Sequence, residues 1–206
     1  MLLIESSMFL LSSGLLLGSW SGEGAFVNSN SYAASVARGI WAAEVDLVGY
    51  VPSVSVAPVI NALVQTSGGA AGRSERVFPL SREEEAAGVL GALPLTGKLG
   101  AIVMQDNGFG NALTALTTFN LAYHLPLLIV ANTRGGLGEY NSMIHTFSQH
   151  VPGVLARFGL PFFELDRRST ASDWEQVVTE AGVHARMTFR PVVVLAHFWA
   201  TDGKAA

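Results

Sequence analysis

Apolar residues fall in six short runs separated by segments of helical spacing. The runs are Asp46 to Val51, Val77 to Leu80, Ala101 to Met104, Leu127 to Ala131, Phe162 to Glu164, and Pro191 to Leu195. Several are apolar at consecutive positions, which marks strands buried on both faces rather than on one. Between them, Ala34, Val36, Ile40 and Trp41 follow the caps Ser29-Asn30-Ser31, and a second helix spans about Val56 to Gln65. The loop from Thr66 to Gly72 closes that second helix. An acidic helix follows Leu80, and another runs from about Asn111 to about Tyr123. A short helix occupies Val154 to Phe158. The last helix is capped by Ser172 and carries Trp174, Val177, Val178, Ala181 and Val183. The stretch from Asn132 to Gln149 reads as one long irregular connection, and connections of that length are commonly functional. This alternation predicts a doubly wound α/β domain: about six parallel strands, helices on both faces, functional loops at the strand C-terminal ends.

Composition sharpens the picture. The 206 residues suit one domain; half are hydrophobic and only 14% are charged. Ordinary soluble domains carry about 25% charged residues, so surface hidden against a partner is expected. A formal charge of −4 offers no footprint for nucleic acid. There is no cysteine, hence no disulfide framework or thiolate chemistry, which fits a reducing cytoplasm. The first 28 residues hold two apolar clusters, Met8 to Leu11 and Leu15 to Leu17, but no Lys or Arg precedes Arg38. They read as an accessory or mis-assigned tail ahead of a domain at 29–206, too interrupted to span a membrane and lacking a signal peptide's basic start.

The most distinctive stretch is Ser81-Arg82-Glu83-Glu84-Glu85-Ala86-Ala87-Gly88-Val89-Leu90-Gly91-Ala92. Ser81-x-x-Glu84 has the form of a capping box, and three carboxylates in a first turn complement the helix dipole. The other reading turns one acid inward. Gly108-Phe109-Gly110 resembles the start of a dinucleotide fingerprint, but Leu113 stands where its third glycine belongs. No histidine or carboxylate cluster has metal-ligand spacing.

Glu84 to Ala92, ending in Thr96-Gly97-Lys98 before a strand, resembles the pyrimidine-binding domain of thiamine-diphosphate enzymes. Met104-Gln105-Asp106-Asn107-Gly108-Phe109-Gly110-Asn111-Ala112 is similar to the glycine loop of the sulfopyruvate and phosphonopyruvate decarboxylase family. Tyr123 to Val130, Arg134-Gly135, Tyr50-Val51-Pro52-Ser53 and Phe158-Gly159-Leu160-Pro161 match in order, so the likeness covers about Ser29 to Leu195. Tyr140 to Thr146 is similar to a loop ending in His-His-Thr in pyruvate-decarboxylase-type enzymes, with Ile144 in place of the first histidine. Pro94 stands where the family often has Tyr.

The resemblance implies a thiamine-diphosphate-dependent 2-oxo acid decarboxylase, with Glu84 and His145 catalytic. Glu84 would hydrogen-bond N1′ of the aminopyrimidine and favour the tautomer that takes the thiazolium proton, leaving Glu83 and Glu85 facing solvent or an interface. Pro52, Gly108, Phe109 and Asn111 would line the cofactor pocket. Ser53, Arg134 and His145 would meet the small anionic substrate, Arg134 either pairing its anion or bracing the loop. His150 reads as a surface residue, and His124, His184 and His197 as structural. The Gly-Asp-Gly motif with which the family holds Mg²⁺ and the diphosphate does not occur in the sequence. The chain is therefore expected to be an α subunit that works with a β subunit carrying Mg²⁺, in a hetero-oligomer with more than one copy of each. The expected reaction converts 3-sulfopyruvate to sulfoacetaldehyde and CO₂. Phosphonopyruvate, a non-catalytic subunit of the same fold, and a stand-alone flavodoxin-like nucleotide binder are the alternatives.

Overall fold

The computed structural model describes residues 31–67, 74–136, 139 and 141–198. The N-terminal stretch 1–28, the caps Ser29 and Asn30, residues 68–72 of the loop that begins at Thr66, and Tyr140 lie outside the described residues.

Six strands form one parallel sheet: β1 (Leu47–Tyr50), β2 (Val77–Pro79), β3 (Gly100–Gln105), β4 (Leu127–Asn132), β5 (Phe162–Leu165) and β6 (Pro191–Ala196). Their order is β2-β1-β3-β4-β6-β5. Every pairing is parallel, with Val48 opposite both Val77 and Ala101, and Val103 opposite Val130. The central strands β3, β4 and β6 are buried almost throughout, as their unbroken apolar runs require.

Helices cover both faces. On one side lie α1 (Tyr32–Ala42), α2 (Ala57–Thr66) and α7 (Ala171–Thr188). Ala33, Val36, Ile40, Val59, Leu63, Trp174 and Val178 pack there on Val48, Val103, Val130 and Val194. On the other side lie α3 (Glu83–Gly91), α4 (Phe109–Ala115) and α6 (Val151–Arg157). Ala87, Leu90, Phe109, Ala112, Val151 and Leu155 pack there on Ile102, Met104, Ile129 and Leu195. The alternation of side chains along each strand thus divides one sheet between two cores.

Local signals explain most boundaries. Ser31 Oγ accepts the Ala34 amide at 3.1 Å and opens α1. Pro58 in the first turn of α2 forfeits only an amide that has no intrahelical partner. Two expectations about caps need correction. Ser172 lies inside α7, which is capped by Thr170 in a reciprocal box with Asp173. The capping box at Ser81 does not form: Arg82 occupies the cap without a side-chain bond, and the Ser81 amide instead donates to Glu85 Oε2 at 2.9 Å. In each instance a neighbouring residue wins because its backbone, not its side chain alone, has the extended geometry of a cap.

The connection between Asn132 and Gln149 is also more regular than expected. It contains a helix, α5 (Ser142–Ser148), capped by Asn141 through the Met143 amide at 3.1 Å. The expected loop at 105–111 is likewise a single 3₁₀ turn, Asp106–Gly108, running straight into α4, whose continuation Leu116–Leu121 is π-helical.

Candidate active site

β1 connects outward to β2, and the chain then crosses back to place β3 on the other side of β1. That reversal opens a crevice beyond the C-terminal ends of β1 and β3, the place where open parallel sheets bind ligands. Polar side chains converge there. From the end of β3, Gln105 Nε2 donates to Ser55 Oγ at 2.7 Å and to Ser53 Oγ, so the loop after β1 is tied across the crevice. Pro52 is exposed on the same loop, beside the half-buried Ser53.

The first turn of α3 supplies the acids. Glu84 is half-buried: its Oε1 lies 3.5 Å from the Arg82 guanidinium. Its Oε2 is shielded from solvent and has no hydrogen-bond partner. A buried carboxylate oxygen left unpaired is costly and calls for an explanation. Glu85 is exposed, as expected, but Glu83 is not a solvent-facing charge. Its Oε2 accepts from Asn111 Nδ2 at 2.9 Å. Its side chain also lies against Gly108 so closely that a Cβ there would come within 2.5 Å of Glu83 Cγ. The absence of a side chain at Gly108 therefore makes room for the Glu83 side chain. Sequence spacing could not order Glu83 and Glu84, because adjacent helix positions diverge by about 100° and only the packing of α3 on α4 decides which goes where.

Phe109 needs correction as a pocket residue. Its ring is fully buried in the core beneath α4 and supports the turn from below. Arg134 needs correction too. Its guanidinium grips Glu139 at 2.5 and 3.0 Å, both side chains being almost wholly buried, and Glu139 also accepts the Asn141 amide at 2.8 Å. It braces the loop leading to α5, the second of the two roles weighed for it. His145 is half-buried on α5, a helix and not a loop. Phe147 of the same helix approaches within 3.6 Å of where a Gly110 Cβ would stand, which sets α5 against the start of α4. His150 is exposed just beyond α5.

One functional candidate escaped the sequence. Asp106, directly after β3, is fully buried. Its Oδ1 accepts the Ser148 hydroxyl at 2.7 Å and its Oδ2 the Arg134 amide at 2.9 Å. Burial pushes its carboxyl up to about 6, against the pull of those two bonds and of the Arg134 charge. An Asp in a strand-to-helix turn is ordinary in sequence, so only its burial gives it away. His197, at the end of β6, is held below its usual value by burial, with Glu164 and Asp166 pulling the other way. Among the described residues no group of three His, Cys, Asp or Glu could hold a metal ion, and no helix is long and apolar enough to cross a membrane.

Several known proteins resemble the chain. The sulfopyruvate decarboxylase subunit alpha of Methanococcus maripaludis is 28% identical over 170 residues, 82% of this chain and 96% of the relative. The subunit of the same description from Methanothermobacter thermautotrophicus is 32% identical over 84 residues, 41% of this chain and 51% of its own length. A phosphonopyruvate decarboxylase of Streptomyces hygroscopicus is 30% identical over 128 residues, 62% of this chain but only 30% of that longer protein. Among solved structures, the 2-oxoglutarate:ferredoxin oxidoreductase of Magnetococcus marinus superposes with a TM-score of 0.66 at 14% identity. That match covers 84% of this chain and 29% of the neighbour, so it speaks to the shared fold. No family model matches the chain.

Proposed function

We propose that this chain is the pyrimidine-binding, α subunit of a thiamine-diphosphate-dependent 2-oxo acid decarboxylase acting on 3-sulfopyruvate. The observation that carries the reading is the buried, partnerless Oε2 of Glu84 at the crevice between β1 and β3. The similarity to sulfopyruvate decarboxylase α subunits along nearly the full length of one of them supports it.

An aminopyrimidine fits the group that Glu84 lacks. A ring nitrogen against Oε2 would satisfy the orphaned oxygen, and the carboxyl would hold or pass a proton at that nitrogen. When bound, thiamine diphosphate supplies the electron sink that loss of CO₂ from a 2-oxo acid requires. Gly108 leaves room for the Glu83 side chain, while Gln105 holds Ser53 and Ser55 on the opposite wall. With Arg134 engaged by Glu139, His145 and the exposed Arg82 beside Glu84 are basic groups that would orient a carboxylate or sulfonate.

The diphosphate and its Mg²⁺ would be held by a β subunit closing over the crevice. Two of the most exposed apolar side chains, Val54 at 75% and Met143 at 84%, sit on the loop after β1 and on α5 at that same edge. Exposed apolar groups beside a polar site suit a surface that a second chain covers. A second reading is favoured by one contact: Glu83, not Glu84, touches Gly108 and Asn111, so Glu83 is the rival for the proton-transfer role.

The test uses the chain co-purified with its partner and assayed for CO₂ release from 3-sulfopyruvate. Glu84→Gln should lower kcat by about 10²-fold or more, whereas Glu83→Gln should leave most activity. The reverse order would transfer the role to Glu83. A complex that retains thiamine diphosphate yet turns over no 2-oxo acid would refute the enzyme reading and favour a non-catalytic subunit.

A further inference from the structure

Asp106 joins three elements that the site needs in register. It stands at the end of β3, next to Gln105, which holds the far wall. One of its oxygens takes the amide of Arg134, the residue that leads the loop out of β4. The other takes the hydroxyl of Ser148, the last residue of α5. Gly135 seals the same junction: its φ is +79°, and a Cβ there would stand 2.7 Å from the Gln149 amide nitrogen. The loop therefore lies flat against the end of α5, with Asp106 beneath both.

We propose that Asp106 is a positioning residue: its buried carboxylate clamps the β4 loop and α5 together and so holds His145 beside the crevice. Two acceptor oxygens of one ionised group serve two donors from different segments, and bonds to an ionised acceptor are the stronger kind. Protonation converts one oxygen into a donor, leaving the clamp neutral and weaker. Because burial raises this carboxyl to about 6, that change falls at mildly acidic pH. The other ionisable groups on the elements around it are Arg134 and Glu139 in the β4 loop, His145 and His150 on and after α5, Glu83 on α3 against Gly108, and His197 after β6, whose Nδ1 lies 3.9 Å from where a Gly136 Cβ would stand. Arg134 and Glu139 neutralise each other, which leaves the three histidines as the groups whose titration must be separated from that of Asp106.

Hydrogen exchange on the full chain makes that separation, with rates at pH 5 to 8 converted to protection factors. In the native protein, an opening of 142–149 that breaks the Ser148 bond but leaves Asp106 covered should cost these peptides about five-fold of their protection between pH 8 and pH 5, the scale of one net hydrogen bond, with a midpoint near 6. The sign is opposite to that of global unfolding, which exposes Asp106. Asp106→Asn can accept the Arg134 amide and donate to Ser148, so it should hold α5 but show no pH step. Ser148→Ala should start with lower protection at pH 8 and change less. Flat protection in the native protein, or a step that persists in Asp106→Asn, would overturn the proposal, the latter handing the effect to His145, His150 or His197. The activity arm rests on the decarboxylase reading. In the complex, the acidic limb of kcat/KM near pH 6 should vanish in Asp106→Asn, and a limb unchanged by the substitution would refute a positioning role. An inactive complex with the expected exchange behaviour would refute the decarboxylase reading alone and leave the clamp intact.

Discussion

Keeping Asp106 ionised in the interior has a cost that can be measured in the whole molecule. Its carboxyl is raised from 3.8 to about 6 because burial removes the charge from water, and the bonds from Ser148 and Arg134 recover only part of the loss. Between those two values the native state binds more protons than the unfolded chain, so stability falls as pH rises through that window. At about 1.4 kcal/mol per pH unit the full cost is about 3 kcal/mol above pH 7. At pH 5, part-way through the window, it is about half of that. Asp106→Asn imitates the neutral group at every pH. It should therefore be more stable than the native chain by about 3 kcal/mol at pH 8 and by about half that at pH 5. Urea denaturation of both proteins, followed by circular dichroism at pH 5, 6, 7 and 8, reads the difference directly. A difference that does not grow with pH, or a variant less stable than the native chain at pH 8, would refute the argument. Buried groups held at such a cost concentrate at functional sites.

Other consequences follow from particular contacts. Gly39→Ala should destabilise the fold by about 1–3 kcal/mol in a thermal melt, because its Cβ would lie 2.6 Å from the Glu175 carbonyl where α1 crosses α7. Glu139→Gln should cost about 3–5 kcal/mol by removing the carboxylate charge that faces the buried Arg134 guanidinium. Replacing both residues by apolar ones of similar size should cost less than that single change. Thr170→Ala should lose about 1 kcal/mol by removing the hydroxyl half of the α7 capping box while the backbone half, Thr170 N–H to Asp173, remains, read as a lower urea midpoint with an unchanged slope.

The architecture follows from the sequence because hydrophobic pattern and sheet burial are the same physical fact seen twice. Runs such as Leu127 to Val130 are apolar at every position, which only a strand covered on both faces can satisfy, and β4 is buried along its whole length. Strand number and parallel sense were legible for that reason, as was the edge of the sheet where function should lie. Chain order alone also drew attention to the acidic opening of α3. What needed the tertiary structure was every choice between neighbours. Thr170 and Ser172 are both plausible caps, and backbone geometry selects the first. Glu83 and Glu84 are chemically identical, and the packing of α3 on α4 sends one to Asn111 and leaves the other with an unpaired oxygen. Arg134 is a cation in either view, yet Glu139 five residues on claims it, and the bend of the loop that brings them together has no periodic signature. Asp106 carries no mark at all in a one-dimensional reading. Its importance comes from lying beneath a loop and a helix that meet 28 and 42 residues later, and burial of a charge is a property of the folded chain.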